Sequence, residues 1–536
     1  MVICSALAAA AVVELLILTY CQGPQPRDAA EAADGELVFS ATRALDWHRR
    51  ILPNEPHPVG SPENDAVRER LTVVLREHGW TVETQTADAA TWDDQRVTLT
   101  NVLASRPEQV QNTAQPLVLA SHYDSCREGP GAGDAGGCVA AIVEAGRVLT
   151  RQPDCLQRPL FLLFTDGEEV GLLGARAFVK SHPLSLRLPI VLNLDARGTS
   201  GPVMMYETHS GNASAVAAWV QHLARPRFTG SLFTAVYRSM PNGTDFTAFV
   251  DGGWIGFNLA IIGSPHRYHQ PDDTLQNLAP SSVQHYGEHM LSLASVICAD
   301  ANDVRPATEN AVFFDLLGWH VIHFPASWCV PLLSLMLLAA LVIYGRPLIR
   351  QKAIGATLLV WMTILLIVVT NAAVGWLVSR SLLGTSILPR PFVAHGGWIL
   401  IGMWLLSQSL SLALAGSIIF RINPDTAWNA VWLAHAIASF AGVILQPEFF
   451  GPLAAPGVLA LLLTLTVRCP CTRTLLATAG ACVLLVPLQH FISQALSPAA
   501  GLLLLPTYCL LSLALIPALG RMTHVVTTPV PTASTT

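Results

Sequence analysis

Past Asp315 the chain almost stops using acids. Only Asp425 and Glu448 follow, and apolar runs lie near 326–345, 354–378, 396–420, 427–445, 452–467, 474–492 and 500–519. About 20 apolar residues in a helix cross the hydrocarbon core of a bilayer. With no water there to satisfy backbone groups, a helix is the form open to such a segment. The runs predict an α-helical, multi-span membrane domain of about seven helices over 321–536, the fifth being short. Everything else the chain does has to be housed before it.

One more apolar run, Ile3–Tyr20, opens the chain, with no preceding positive charge and with Glu14 inside it. It reads as an N-terminal anchor or signal segment over 1–21, the uncleaved anchor being preferred. The loops between the later runs orient them. Arg346, Arg350, Lys352, Arg421, Arg468, Arg473 and Arg521 fall on one side, and Arg380 and Arg390 on the other. The richer side is cytoplasmic by the positive-inside rule. The region 22–320 is then expected outside the cytoplasm, in a periplasm or a lumen according to the host. The net charge of −6 is mild and spread out, which argues against a nucleic-acid partner. The 11 cysteines are too scattered for a disulfide scaffold. Cys469 and Cys471 form a lone C-x-C, read as no zinc site.

In the region before Asp315, strand-like runs appear at 116–121, 160–165, 189–194, 203–206, 232–236 and 255–261, and helical patterns at 66–78, 136–150 and 280–298. Strands alternating with helices predict an α/β fold with a mainly parallel sheet and helices on both faces. Ligands of such sheets bind outside the carboxyl ends of the strands. Those ends carry His122 and Asp124 ("VLASHYDS"), Glu168 and Glu169 ("FLLFTDGEE"), Asp195 ("IVLNLDARG"), and His266 and His269 ("SPHRYHQPDDT"). Asp134, in "GPGAGDAGG", can join them. Any one of these residues alone would be an ordinary cap or a satisfied polar group. Together the carboxylates repel one another unless cations neutralise them. Mixed histidine and carboxylate donors suit zinc in a catalytic site. Two ions would use two histidines and three carboxylates, leaving one carboxylate for proton transfer.

The pieces "HPVGSPEN", "ASHYDS", "GPGAGDAGG", "FTDGEEVGLLGARAF", "NLDARGTSGP", "PNGTDFTAF" and "YHQPDDT", in this order across 57–274, resemble the two-zinc aminopeptidase family. That family includes secreted bacterial leucyl aminopeptidases and the membrane-bound endoplasmic reticulum metallopeptidases and vacuolar membrane proteases. "ARGTSGP" and "PNGTDF" resemble the membrane branch. The resemblance implies a zinc peptidase domain over 22–320 and two zinc ions per chain. It puts His122, Asp134 and Asp195 on one ion and Asp134, Glu169 and His269 on the other, with Asp134 bridging. It makes Glu168 the general base and Asp124 the carboxylate that orients the His122 imidazole. The implied substrates are peptides with a free amino terminus. Arg197 and Tyr237 are candidates for holding that terminus. Ala135, and then Gly137 and Cys138, depart from the family pattern of a second acid followed by Ser-Gly. Two other readings stay open: a glutaminyl-peptide cyclotransferase on the same fold, and a catalytically inactive receptor or adaptor.

Overall fold

The computed structural model describes residues 35–510 apart from 36, 107–111, 153–155, 228, 241, 317, 385–395, 420–421, 496–500, 503 and 508. The expected anchor Ile3–Tyr20 and most of the seventh apolar run, 500–519, lie outside the described residues. The chain divides into two compact units between Ala326 and Ser327.

In chain order the first unit contains α1 (Ala41–Ile51), α2 (Pro62–Glu77), β1 (Thr81–Ala90), β2 (Arg96–Ser105), β3 (Leu117–His122), α3 (Cys138–Thr150), β4 (Leu160–Thr165), α4 (Leu173–Ser181), β5 (Ile190–Ala196) and β6 (Met204–Thr208). It continues with α5 (Ala213–Trp219), α6 (Ser231–Arg238), α7 (Asp245–Asp251), β7 (Ile255–Ile261), α8 (Pro280–Cys298), β8 (Ala311–Leu316) and β9 (His320–Pro325). Seven strands form one sheet in the order β1-β2-β4-β3-β5-β7-β6. Its centre, β4-β3-β5-β7, is parallel; the β1–β2 hairpin on one side and β6 on the other are antiparallel. This is the α/β architecture expected from the alternation of strands and helices.

The central strands are apolar throughout because both their faces are covered. Every residue of β3, β4, β5 and β7 is buried. Leu117, Leu119, Leu162 and Leu192 pack with Val139 and Ile142 of α3 and Val283 and Tyr286 of α8. The alternate residues Val118, Ala120, Leu163 and Val191 pack with Phe178 of α4 and Phe246 and Phe249 of α7. Helix ends follow local chemistry: Ser61 caps α2 by accepting from Asn64 N–H at 3.1 Å, with Pro62 at the first helical position.

One expected strand is corrected. Residues 232–236 lie in α6, not in a strand. A five-residue apolar run fits either form until its surroundings decide. Here the helix stands on β6: Tyr237 meets the Tyr206 ring edge-on at 4.7 Å, and Arg238 Nη2 donates to Thr208 O at 2.9 Å. The strands β1, β2, β8 and β9 are not among the expected runs. No residue of β1 is buried: its positions are exposed or half-buried.

The second unit contains six helices long and apolar enough to cross a membrane among the described residues: Ala326–Arg350, Ile354–Ser381, Ile399–Ile419, Pro424–Leu445, Pro447–Thr466 and Thr472–Gln494. Polar side chains tie them together, as is usual where packing surfaces are equally apolar. Asn371 Nδ2 donates to Ser411 Oγ at 3.0 Å, and Trp361 Nε1 to Ala430 O at 2.9 Å. Arg473 lies 3.3 Å from Asp425 and 4.5 Å above the Trp428 ring, so the turns near 423 and 470 sit side by side. Leu335, Leu365 and Leu465 face outward, a surface suited to lipid.

Candidate active site

The parallel strands β3, β4, β5 and β7 all deliver their carboxyl ends to one edge of the sheet. The chain leaves β3 toward β4 on one side and later enters β5 on the other, which opens a crevice beside the end of β3. His122 closes β3. Its Nδ1 faces the carbonyl of Asp124 at 3.0 Å, so that nitrogen carries the proton and Nε2 is free to act as a donor atom. Nε2 lies 3.2 Å from Asp134 Oδ1 and 3.8 Å from Asp195 Oδ1. His269 arrives from the loop after β7. Its Nε2 lies 3.3 Å from Asp134 Oδ2 and 2.8 Å from Glu169 Oε2. The two oxygens of Asp134 therefore face one histidine each.

Backbone geometry holds these groups in place. Asp273 Oδ1 accepts from Gly133 N–H at 2.7 Å and Asp273 Oδ2 from Asp134 N–H at 3.2 Å, pinning the glycine-rich turn. Gly131 has φ +65°, and a Cβ there would meet Asp134 O at 2.5 Å. The Asp134–Ala135 peptide is cis. Asp124 Oδ1 lies 3.5 Å from His122 Nδ1, farther than its own carbonyl. Its carboxylate accepts from the N–H groups of Glu168 at 3.1 Å and Glu169 at 3.3 Å, which ties the end of β3 to the turn after β4. Asp166 is turned away: it accepts from Asn64 Nδ2 at 3.2 Å and Thr100 N–H at 2.9 Å. His269 sits at φ +55°, a costly conformation for a side-chain-bearing residue. Tyr268 stacks on its ring at 3.8 Å.

Do these donors suit a metal? His122, Asp134 and Asp195 offer ligand atoms within 4.8 Å of one another, and so do Cys126, Glu169 and His269. His266 belongs to neither group. Glu169 Oε1 and His269 Nε2 are buried without hydrogen-bond partners. His269 Nε2 is near Glu169 Oε2 but off the line a hydrogen bond needs. Electrostatics says the same. Burial drives the Glu168 carboxyl well above its ordinary range and the Glu169 carboxyl up to about 7, Asp134 adding to the latter. Asp195 is raised by burial. Burial acts on Asp134 too, but the close approach of His122 and His269 to its two oxygens holds it at about 2. Cations in this crevice would remove the cost of charging so many buried carboxylates. The donor set fits zinc.

Of the expected residues, all seven line this edge: His122, Asp124, Asp134, Glu168, Glu169, Asp195 and His269. Arg197 reaches the rim, its guanidinium 5.8 Å from the Tyr268 ring. Tyr237 is set against Tyr206. Three residues were overlooked, although two stood inside quoted motifs. Asp273 is one. Asp245 is another, buried with Oδ2 accepting from Thr165 Oγ and Oδ1 unpartnered. Cys126 is the third. An acid that braces a loop from a distant segment leaves no spacing signal.

Residues 101–294 match the profile of peptidase family M28. The chain is 30% identical over 393 residues to human endoplasmic reticulum metallopeptidase 1, covering 66% of this chain and 42% of that protein. It is 28% identical over 295 residues to the vacuolar membrane protease of Eremothecium gossypii, covering 51% of this chain and 28% of that one. The chain thus spans less than half the length of these relatives. A glutaminyl cyclase of Porphyromonas gingivalis superposes with a TM-score of 0.39 at 20% identity, over 48% of this chain and 98% of that one. At that score the likeness decides nothing between cyclisation and hydrolysis.

Proposed function

We propose, on the premise that the chain belongs to peptidase family M28 through residues 101–294, that it is a membrane-bound zinc aminopeptidase. It would remove N-terminal residues from peptides on the extracytoplasmic side of its membrane. The peptidase domain would occupy 22–320 and the membrane domain 321–536, after an anchor at 1–21. The observation that carries the reading is the Asp134 carboxylate, with one oxygen 3.2 Å from His122 and the other 3.3 Å from His269. His122 and Asp195 would hold one ion, Glu169 and His269 the other, and Asp134 would be shared. Bound zinc would supply Lewis acidity toward a peptide carbonyl and make water a stronger acid.

This chain's own groups would do the rest. Glu168 takes a proton from the attacking water and returns it to the leaving amine. Its burial supports that role, because burial raises the carboxyl's affinity for a proton above that of a free carboxylate. Asp124 holds the Glu168 and Glu169 amides and leaves its carbonyl for His122 Nδ1–H, fixing the imidazole tautomer. Arg197 and Tyr237 remain the candidates for the substrate's amino end. The test is metal analysis of the purified protein alongside a panel of free and N-blocked peptides. Two zinc ions per chain, with cleavage of free-amine peptides only, are expected. Equal cleavage of acetylated peptides would remove the aminopeptidase label, and pyroglutamate formation without hydrolysis would favour the cyclase.

A further inference from the structure

Cys126 has no place in that scheme, yet it stands inside the site. Its sulfur shares a donor group with Glu169 and His269, all ligand atoms lying within 4.8 Å of one another. The position is built. Ser125 Oγ accepts from His57 N–H at 2.8 Å and donates to the Cys126 carbonyl at 3.0 Å, while Ser125 N–H donates to His57 O at 3.3 Å. Three residues on, Gly129 lies so close to Gln270 that a Cβ would meet its carbonyl oxygen at 2.3 Å. The segment carrying Cys126 is thereby pressed against the loop carrying His269. The sulfur's contacts within the protein are to nearby backbone, at Glu128 and, weakly, 4.0 Å to Gly129 O. Facing it, the Glu169 side chain is 5% exposed, and Glu169 Oε1 and His269 Nε2 are both buried without hydrogen-bond partners. Sulfur, oxygen and nitrogen converge there, and the oxygen and nitrogen have no hydrogen-bond partner.

We propose that Cys126 is a sulfur donor to the ion held by Glu169 and His269, so that this half of the site is a mixed sulfur, nitrogen and oxygen centre. The inference rests on the metallopeptidase reading and deepens it. On binding, the thiol S–H bond breaks, its proton goes to solvent, and the sulfur lone pair forms the bond to the ion; no electron is transferred. Sulfur is the softer donor, so this half-site should favour softer ions than its partner does.

The test uses the full chain in detergent, stripped with a chelator and titrated with cobalt(II). Visible absorption reports bound cobalt whatever its ligands, whereas an intense near-ultraviolet charge-transfer band reports a thiolate ligand. The wild-type protein should show both. Cys126→Ser and Cys126→Ala should each keep the visible bands and the cobalt content but lose the charge-transfer band. Bound cobalt without that band in the wild type would sink the sulfur ligand and leave the metallopeptidase reading standing. A band surviving both substitutions would overturn it equally, by assigning the band to another thiol such as buried Cys138. A protein that binds no cobalt would remove the metal site itself, and the sulfur with it. Should one variant fail to fold, the other and the wild-type spectrum still decide.

Discussion

Glu168 and Glu169 are adjacent in sequence, yet only Glu169 enters a donor group, its Oε2 2.8 Å from His269 Nε2. The chain has already left β4, so consecutive side chains no longer alternate across a sheet. Glu169→Ala should lower zinc toward one per chain and lower activity with it. Glu168→Gln keeps the shape and removes the base, so zinc should stay near two while turnover falls by roughly 10²–10⁴-fold. Elemental analysis beside kcat separates the two. A Glu168→Gln protein that loses zinc, or that turns over normally, contradicts the division of roles. A second residue far from the crevice bears on pH. His289 is buried in α8 against His285, with rings 4.2 Å apart. Burial, with the positive charge of Arg227 added, lowers its pKa to about 3 although Nδ1 bonds to His285 O. The unfolded chain binds that proton near 6.5, so the stability His289 contributes is full above 6.5 and is lost as pH falls toward 3. The loss is about 1.4 kcal/mol per pH unit in that window. His289→Gln should make the drop in unfolding temperature between pH 7 and pH 5 smaller than in the wild type. Parallel curves for the two proteins would show that His289 does not titrate this way.

Strand β7 joins β5 to β6 and leads to His269, and Gly256 is its second residue. A Cβ at Gly256 would meet Val191 O at 1.8 Å across the β5–β7 pairing, and its φ of +154° already favours glycine. Backbone cannot yield as a flexible side chain can. Gly256→Ala should therefore destabilise the first unit by at least ~1–3 kcal/mol, the usual cost of overpacking. A fall in thermal midpoint of roughly 2–4 °C per kcal/mol is the expected readout. An unchanged midpoint would mean that β5 and β7 do not pair as described.

Across the whole molecule, the loop charges bear on which side of the membrane the peptidase unit faces. Seven basic residues in one set of loops against two in the other are what support the proposed extracytoplasmic side. A reporter fused after Arg521 should be cytoplasmic and one inserted in the 446–451 loop should not. An externally accessible 346–353 loop would reverse the orientation. The two glycosylation sequons give an independent check. Asn212 is buried, its Oδ1 accepting from Ala311 N–H at 2.7 Å and its Nδ2 bonded to Thr208, whereas Asn242 is exposed. Expressed in a eukaryotic cell, the chain should carry a glycan that Asn242→Gln removes and Asn212→Gln does not. Glycan on neither residue would argue for a cytoplasmic peptidase unit.

What can be read along the chain is what depends on runs and endings. Long apolar stretches separate the membrane region from the rest, because lipid demands them. The buried central strands β3, β4, β5 and β7 announce themselves as apolar runs, and His122, Glu168, Glu169, Asp195 and His269 stand where those runs stop or in the loops that follow. Family likeness then supplies roles. Only the tertiary structure decided the rest. Residues 232–236 became helix because β6 offered a surface for one. The exposed strand β1 has no apolar run and is a strand because β2 pairs with it. Asp273 braces the Asp134 turn from a loop 139 residues away, and Cys126 meets His269 because Gly129 lets two loops touch. Such contacts between distant segments are made by close approach in space, and no periodicity or spacing in the chain encodes them.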